Sequence, residues 1–254
     1  MKQFTTPPQH ESRPDENTTD LLLGRLRSNP SVPIYELAQP DGSYAPVATA
    51  DFIEDVKRLA KGLMASGVES GDAVAILSRT RYEWALLDWA VWWAGGVSIP
   101  IYETSSPSQI QWIASDAEAK FAVVESTRHK EDMESVRGDL PALARIGVLD
   151  DGILDDLRSR GESVSDEELE ARRTSRSMED VATIIYTSGT TGRPKGAQLT
   201  HANFVDTTRS AVTLLGQQVL PPGSRLLMFL PLAHVFARLI TVLAASWPVT
   251  TAFT

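Results

Sequence analysis

The segment "GDAVAILSRTRYEWALLDWAVWWAGGVSIPIY", residues Gly71 to Tyr102, reads as a strand, a helix and a second strand. Its first part, "AVAILS", is a short apolar run typical of a buried strand. The middle part, "RYEWALLDWAVWWAGG", is apolar on nearly all sides, which predicts a helix enclosed in the core. "VSIPIY" predicts another buried strand. This succession is the repeating unit of a parallel sheet covered by helices.

The same alternation continues on both sides of this segment. Upstream, "ADFIEDVKRLAKGLMAS" has apolar residues at helical spacing and ends at Gly67, a residue suited to a left-handed helix cap. Downstream, "PSQIQWIASDA" predicts a helix and "KFAVVES" a strand, and "RIGVLD" and "VATIIYT" are further short apolar runs. The predicted fold class is therefore α/β, with a mostly parallel sheet that carries helices on both faces.

Four other regions complete the prediction. "PIYEL" and "YAPVA" flank a Pro-Asp-Gly turn and predict a small hairpin. Residues 1–30 are interpreted as a flexible leader, because their start is polar and contains proline. Residues 150–180 are charged and are expected to cross the surface in solvent. The closely spaced tryptophans of the apolar helix are interpreted as core, rather than as a ligand box: Trp84, Trp89, Trp92 and Trp93.

Composition excludes several classes of protein. The 254 residues carry a formal net charge of -9, which opposes binding to nucleic acid and to anionic membranes. Without cysteine, the chain has no thiolate nucleophile, no disulfide and no cysteine-bound zinc. The N-terminus lacks the apolar centre of a signal peptide, and the most apolar window is too interrupted to cross a bilayer. We expect a cytoplasmic location, at most peripheral contact with membranes, and small-molecule partners.

The stretch "YTSGTTGRPKG", Tyr186 to Gly196, follows a predicted buried strand. Glycines allow backbone amides to converge on an anion, the hydroxyls add donors, and two cations offset charge, which together predict a cradle for a polyphosphate. The residues around Lys195 do not match the P-loop pattern of kinases and GTPases. A flexible linker is the alternative, although "GAQLTHANFVDTTRSAVTLLG" resumes at once with a predicted strand, a cap at Thr200 and a helix that reaches Gly216.

Three motifs make the chain resemble a known family. "YTSGTTGRPKG" followed by "LTHANF" is similar to the signature phosphate loop of the AMP-forming adenylating enzymes, which include acyl-CoA synthetases. "LPLAHVFAR", residues 230–238, resembles the next motif of that family in the form found in long-chain fatty acyl-CoA ligases. The resemblance covers almost the whole chain after the leader, so that residues 31–254 correspond to the N-terminal portion of an AMP-binding domain.

The resemblance implies a function and a set of site residues. Such enzymes join a carboxylate to the α-phosphate of ATP, release pyrophosphate, and pass the acyl group to coenzyme A, with Mg²⁺ as the metal. By this resemblance Thr187 helps to bind Mg²⁺, and His234 lines the site near the adenylate and acyl group. A single histidine is otherwise more often structural. The residues that would hold the β- and γ-phosphates are Ser188, Gly189, Thr190, Thr191, Gly192 and Lys195.

Other motifs of the family do not occur after His234, so we expect this sequence to be the N-terminal part of a ligase, inactive alone and without the C-terminal domain. The last apolar segment, "LAASWPVTTAFT", is expected to leave an exposed strand. Three hypotheses remain open: a long-chain fatty acyl-CoA ligase, a non-catalytic nucleotide-binding module, and an enzyme that adenylates a different acid. Acyl chain length and oligomeric state have no signal in the sequence.

Overall fold

A computed structural model describes residues 11–187 and 193–253. The helices are α1 (Thr18–Ser28), α2 (Thr49–Ala65), α3 (Tyr82–Trp93), α4 (Pro107–Asp116), α5 (Thr127–Glu134), α6 (Ile153–Gly161), α7 (Asp166–Arg173), α8 (His201–Val219) and α9 (Val235–Ser246). The strands are β1 (Pro33–Ala38), β2 (Tyr44–Ala48), β3 (Ala73–Leu77), β4 (Val97–Ile101), β5 (Phe121–Val124), β6 (Arg145–Val148), β7 (Val181–Thr187), β8 (Lys195–Thr200), β9 (Arg225–Met228) and β10 (Thr250–Phe253). A short 3₁₀ helix, Arg137–Asp139, precedes β6.

The first sheet has six strands in the order β6-β5-β3-β4-β7-β8. All neighbours are parallel except β7 and β8, which pair antiparallel. Every residue of β3, β4 and β5 is buried, as expected of strands covered on both faces. The four tryptophans of α3 are at most 1% exposed, which confirms that they belong to the core. The predicted α/β class and the mostly parallel sheet are confirmed.

The second sheet has four strands in the order β2-β1-β10-β9. The predicted hairpin forms its outer half, where β1 and β2 pair antiparallel. The last strand, β10, lies between β1 and β9 and pairs parallel with both. The expectation that this strand would be exposed was therefore wrong. β2 and β9 are the outer strands instead, and Leu227 on β9 is exposed.

Two segments that were expected to lie in solvent contain helices that pack against the rest of the fold. Within the predicted leader of residues 1–30, α1 begins at an Asn17 cap and buries Leu22 and Arg25. In residues 150–180, α6 buries Leu157 against α2. A Cβ at Gly62 of α2 would come 2.1 Å from the Leu157 carbonyl oxygen, so the two helix backbones touch. That contact requires only a glycine and a few apolar residues. The predominantly charged composition of residues 150–180 therefore gave no indication of it.

The predicted caps agree with the structure. Gly67 has a φ of +91° just beyond α2, in the left-handed region that glycine adopts at little cost. Thr200 precedes α8, and its backbone N–H donates to Asn203 Oδ1 at 2.9 Å as part of a capping box. α8 continues to Val219 rather than ending at Gly216. Within the described ranges, no helix combines the length and the apolar character that crossing a bilayer requires.

Candidate functional site

The glycine-threonine stretch joins β7 to β8 beside the carboxyl ends of the parallel strands. β7 ends at Thr187 and β8 begins at Lys195, and these two residues face each other in the last pair of the antiparallel register. Both are exposed. Ser188, Gly189, Thr190, Thr191 and Gly192 lie outside the described residues. The structure therefore brings together two of the predicted site residues, at the edge of the sheet where α/β proteins bind ligands.

Gly196 has a packing role that the sequence did not reveal. It lies opposite Tyr186 across the β7–β8 pair. A Cβ at this position would approach the Ile184 side chain to 2.7 Å and the Tyr186 ring to 3.1 Å. A larger residue would therefore push Tyr186 or Ile184 away and open the two strands that carry Thr187 and Lys195.

Helix α4 contacts both of these strand ends. The Tyr186 hydroxyl donates to Asp116 Oδ2 at 2.7 Å, and Trp112 Nε1–H donates to the Pro194 carbonyl at 2.8 Å. The Arg193 guanidinium lies over the Trp112 ring, 4.7 Å from its centre. Burial, helped by the hydrogen bond to the Asp116 carboxylate and by its charge, raises the pKa of Tyr186 well above its usual range. Tyr186 therefore remains a neutral hydrogen-bond donor.

His234 occupies the position just before α9. Its Nδ1 accepts a hydrogen bond from the Phe236 N–H at 3.2 Å, so the ring caps the helix. The side chain is exposed, unlike that of a core histidine, and the preceding Leu232 and Ala233 are buried. Within residues 11–187 and 193–253, no hydrogen bond or ion pair joins His234 to Thr187 or Lys195.

Arg238, one turn after His234, anchors the same helix in the core. It is 1% exposed, and its guanidinium donates to both oxygens of Asp88 in α3 at 2.7 and 2.9 Å. It also donates to Thr183 Oγ1 on β7, and that hydroxyl donates to the Ser98 carbonyl at 2.6 Å. Burial raises the pKa of Asp88, while the charge of Arg238 opposes that rise. An Asp within the apolar part of α3, residues 84–93, is the sequence signal that could have indicated this pair.

His201, in the "LTHANF" part of the motif, is also buried. Its Nδ1 lies 2.9 Å from Thr18 Oγ1, and its ring meets that of Trp92 edge to face. Burial, together with the positive charge of Arg176, lowers the pKa of His201 to about 3, and the Asp180 carboxylate only partly opposes this. His201 is thus a neutral residue that packs α8 against α1 and α3.

A crevice of about 320 Å³ opens where the two sheets meet, lined by residues that follow β3, β4 and β9. Thr80 connects its two sides, because the Thr80 hydroxyl donates to the Leu230 carbonyl at 2.8 Å and accepts from the Leu232 N–H at 2.9 Å. Phe229, at its mouth, is 73% exposed. The size is at the lower end of the range for small-molecule pockets, about 300–1,000 Å³. The crevice adjoins the motif that contains His234.

The residues around Thr187 determine whether Mg²⁺ could bind at this edge of the sheet. Among the residues with described positions, no group of three His, Asp or Glu side chains is placed to hold a metal ion. Mg²⁺ commonly keeps several waters and binds through substrate phosphates with only one or two protein ligands. An exposed hydroxyl at Thr187 opposite a cation at Lys195 fits a metal that arrives with a polyphosphate.

Comparison with known proteins identifies the family. The model of the AMP-binding enzyme family matches residues 37–252. The chain is 40% identical over 257 aligned positions to the long-chain-fatty-acid–CoA ligase FadD15 of Mycobacterium bovis, covering 100% of this chain and 42% of that protein. The Mycobacterium tuberculosis protein of the same name is 39% identical with the same coverage.

Solved structures agree on the fold. A Mycobacterium tuberculosis fatty acyl CoA synthetase superposes with a TM-score of 0.79 at 22% identity, over 94% of this chain and 44% of the other. The chain thus spans 42% of the length of the curated relatives described above. Because the family model matches most of its residues, the chain belongs to the AMP-binding enzyme family.

Proposed function

We propose that this member of the AMP-binding enzyme family takes part in the ATP-dependent activation of a long-chain fatty acid, first to an acyl-adenylate and then to an acyl-CoA. The observation that carries the proposal is the placement of the "YTSGTTGRPKG" stretch, whose two ends meet at the carboxyl edge of the parallel sheet. The 40% identity to a long-chain-fatty-acid–CoA ligase supports the acid class.

The chemistry requires an anionic carboxylate to approach a polyanion and requires charge to be stabilised on the departing pyrophosphate. In our proposal Lys195 offsets the charge of the β- and γ-phosphates, and Thr187 contributes its hydroxyl to the Mg²⁺ that ATP brings. Ser188, Gly189, Thr190, Thr191 and Gly192 would supply further donors to the same phosphates. Mg²⁺, when bound, supplies positive charge to the polyphosphate and orients it.

His234 is proposed to line the part of the site nearest the acyl group. Its exposed ring next to the crevice between the sheets supports this role. The acyl group would then be passed to the thiol of coenzyme A, which is consistent with a chain that has no cysteine of its own. We further propose that residues 31–254 form one portion of the adenylation domain and that the protein acts in the cytoplasm, with small molecules as its partners.

A chimera tests the proposal. This chain would replace the matching 42% of the M. bovis ligase, and exchange of labelled pyrophosphate into ATP would be measured with palmitate, short acids and amino acids. We expect exchange that depends on palmitate and is lost on Lys195→Ala. The 254-residue chain alone, assayed in parallel for MgATP binding and for exchange, is expected to bind without exchanging.

Three results would contradict the proposal in different ways. A folded chimera that exchanges only with amino acids would assign another acid. MgATP binding by the chain with no exchange by a folded chimera would favour the non-catalytic nucleotide-binding module. No binding and no exchange would remove the phosphate role of the loop altogether.

A further inference from the structure

Helix α4 holds the two ends of the glycine-threonine loop through one face. Trp112 and Asp116 are four residues apart and therefore lie one above the other on the helix surface. Asp116 accepts from the Tyr186 hydroxyl, just before Thr187, and Trp112 donates to the Pro194 carbonyl, just before Lys195. The two contacts therefore lie next to Thr187 and Lys195, which pair with each other across β7 and β8.

The position of α4 is itself fixed by local sequence. Ser106 caps the helix with a reciprocal Gln109 contact, Pro107 occupies its first turn, and Ile110 and Ile113 are buried beneath it. Trp112 is half-buried, with its ring between this helix and the entry to β8. A packed helix therefore provides a rigid support for the start of β8.

The Trp112 ring also determines where a charge lies. Arg193 rests over the indole face, and neither Arg193 nor Lys195 has a carboxylate partner among the described residues. A guanidinium held on an aromatic face is stabilised there by the ring quadrupole. Arg193 is thereby directed to the indole, while Lys195, two residues on, is left available for a phosphate.

We propose that Trp112 is a positioning residue for polyphosphate binding, acting through the Pro194 carbonyl and the Arg193 guanidinium. This inference rests on the proposed function, since it assumes that the loop receives the β- and γ-phosphates of ATP. Trp112 does not touch the nucleotide in this account. It fixes the backbone from which Lys195 projects, so its loss weakens binding of the terminal phosphates and leaves the rest of the nucleotide site intact.

The experiment measures the dissociation constants of MgATP and AMP for the 254-residue chain, for the chimera in which it replaces the matching 42% of the M. bovis ligase, and for the same variants of both. Trp112→Phe keeps an aromatic face for Arg193 but removes the N–H donor, and Trp112→Leu removes both. The matched control is Trp247→Phe, because Trp247 is also half-buried and its Nε1–H also donates to a backbone carbonyl, that of Leu220, at 2.8 Å.

The loss of one hydrogen bond predicts that Trp112→Phe weakens MgATP binding about threefold to tenfold. Trp112→Leu is expected to weaken it by about a further twofold to fivefold, because the Arg193 contact is also lost. AMP binding should be unchanged in both, since AMP has no β- or γ-phosphate. Trp247→Phe should change neither constant. Thermal midpoints of all variants are also measured, and amide exchange at Lys195 and Gly196 is followed by NMR. Faster exchange is expected only in the Trp112 variants.

The outcomes separate this inference from the proposed function. If the native chain binds MgATP and neither Trp112→Phe nor Trp112→Leu weakens that binding, the positioning role is wrong and the proposed function is not affected. Equal loss of MgATP and AMP binding shows general damage and also overturns it. Absence of MgATP binding by the folded native chain overturns the proposed function and this inference with it. Selective loss of MgATP affinity supports both.

Discussion

Two polar regions lie next to β7, one behind the strand and one at its end, and they differ in burial and in hydrogen-bond partners. Behind the strand, Arg238, Asp88 and Thr183 are buried, and the arginine donates hydrogen bonds to both of the other two. At its end, Thr187 and Lys195 are exposed and face each other across the antiparallel pair. The first arrangement holds α3, β7 and α9 together, and the second is the one that we propose binds a polyphosphate. Variants of the first should therefore affect folding, and variants of the second should affect binding.

The sharpest test of this contrast breaks the buried pair. Asp88→Ala would leave the Arg238 charge buried without its partner, which typically costs about 3 to 5 kcal/mol. We expect a loss of that size in the free energy of unfolding, measured by denaturant titration. Replacing both residues together, as Asp88→Leu with Arg238→Met, should cost much less. A loss below about 1 kcal/mol in Asp88→Ala would show that the pair does not anchor these elements.

The complementary test is at the exposed end of the strand. Lys195→Ala should weaken MgATP binding by about 1.5 to 3 kcal/mol, or roughly tenfold or more, because a charged donor to phosphate is lost. Arg193→Ala, the matched control, should cost only about 0.5 to 1 kcal/mol, the usual value for an exposed cation–π contact. Isothermal titration gives both numbers, and the thermal midpoint should hardly move. Similar small effects from both variants would contradict the assignment of Lys195 to phosphate.

The pH dependence of the free energy of unfolding tests whether His201 is buried and neutral. The pKa of His201 is lowered to about 3 in the folded chain, against about 6.5 in an unfolded one. The unfolded state therefore takes up the proton first, so the free energy of unfolding falls as pH drops below about 6.5. Between pH 7 and pH 5 this contribution is about 2 kcal/mol. His201→Gln should remove it, so that the variant loses about 2 kcal/mol less stability than the native chain between pH 7 and pH 5, and parallel curves would argue against a neutral buried histidine.

The smallest expected free-energy change in this series is at His234, which is exposed and also caps a helix. His234→Ala should cost about 1 kcal/mol or less in unfolding free energy, the value of a modest cap. His234→Asn retains a capping acceptor and should cost nothing measurable. Both should reduce palmitate-dependent exchange in the chimera if the imidazole lines the acyl site. Full activity in His234→Asn would reduce the role of this residue to capping.

Local pattern predicted most of the elements, for reasons visible in particular residues. β3 and α3 were identified because a fully buried strand and an enclosed helix are apolar throughout. The ends at Gly67 and Thr200 followed from cap chemistry, which acts within a few residues. Thr187 and Lys195 are predicted as site residues because the motif around them is specific, and that role stays a prediction.

The remainder depends on contacts between distant segments. Nothing near Tyr35 indicates that it pairs with Thr251, so the pairing of β1 with β10 has no local signal. The packing of Gly62 on Leu157 and the contact of Trp112 with Pro194 are equally invisible in composition. Around the candidate site, the missed contacts join segments that are distant in the sequence, such as the Trp112 N–H with the Pro194 carbonyl and the Tyr186 hydroxyl with Asp116.

The inner position of β10 has a consequence for the time course of folding. β3 to β8 come from one continuous part of the chain, so the six-stranded sheet can assemble while later residues are still being translated. β1 must wait for β10, since Tyr35 pairs with Thr251. At about 5 to 20 residues per second, the ribosome needs on the order of ten seconds or more to make the chain between them. During that interval the β1–β2 hairpin has a free edge on the nascent chain, where early partners such as chaperones would find it.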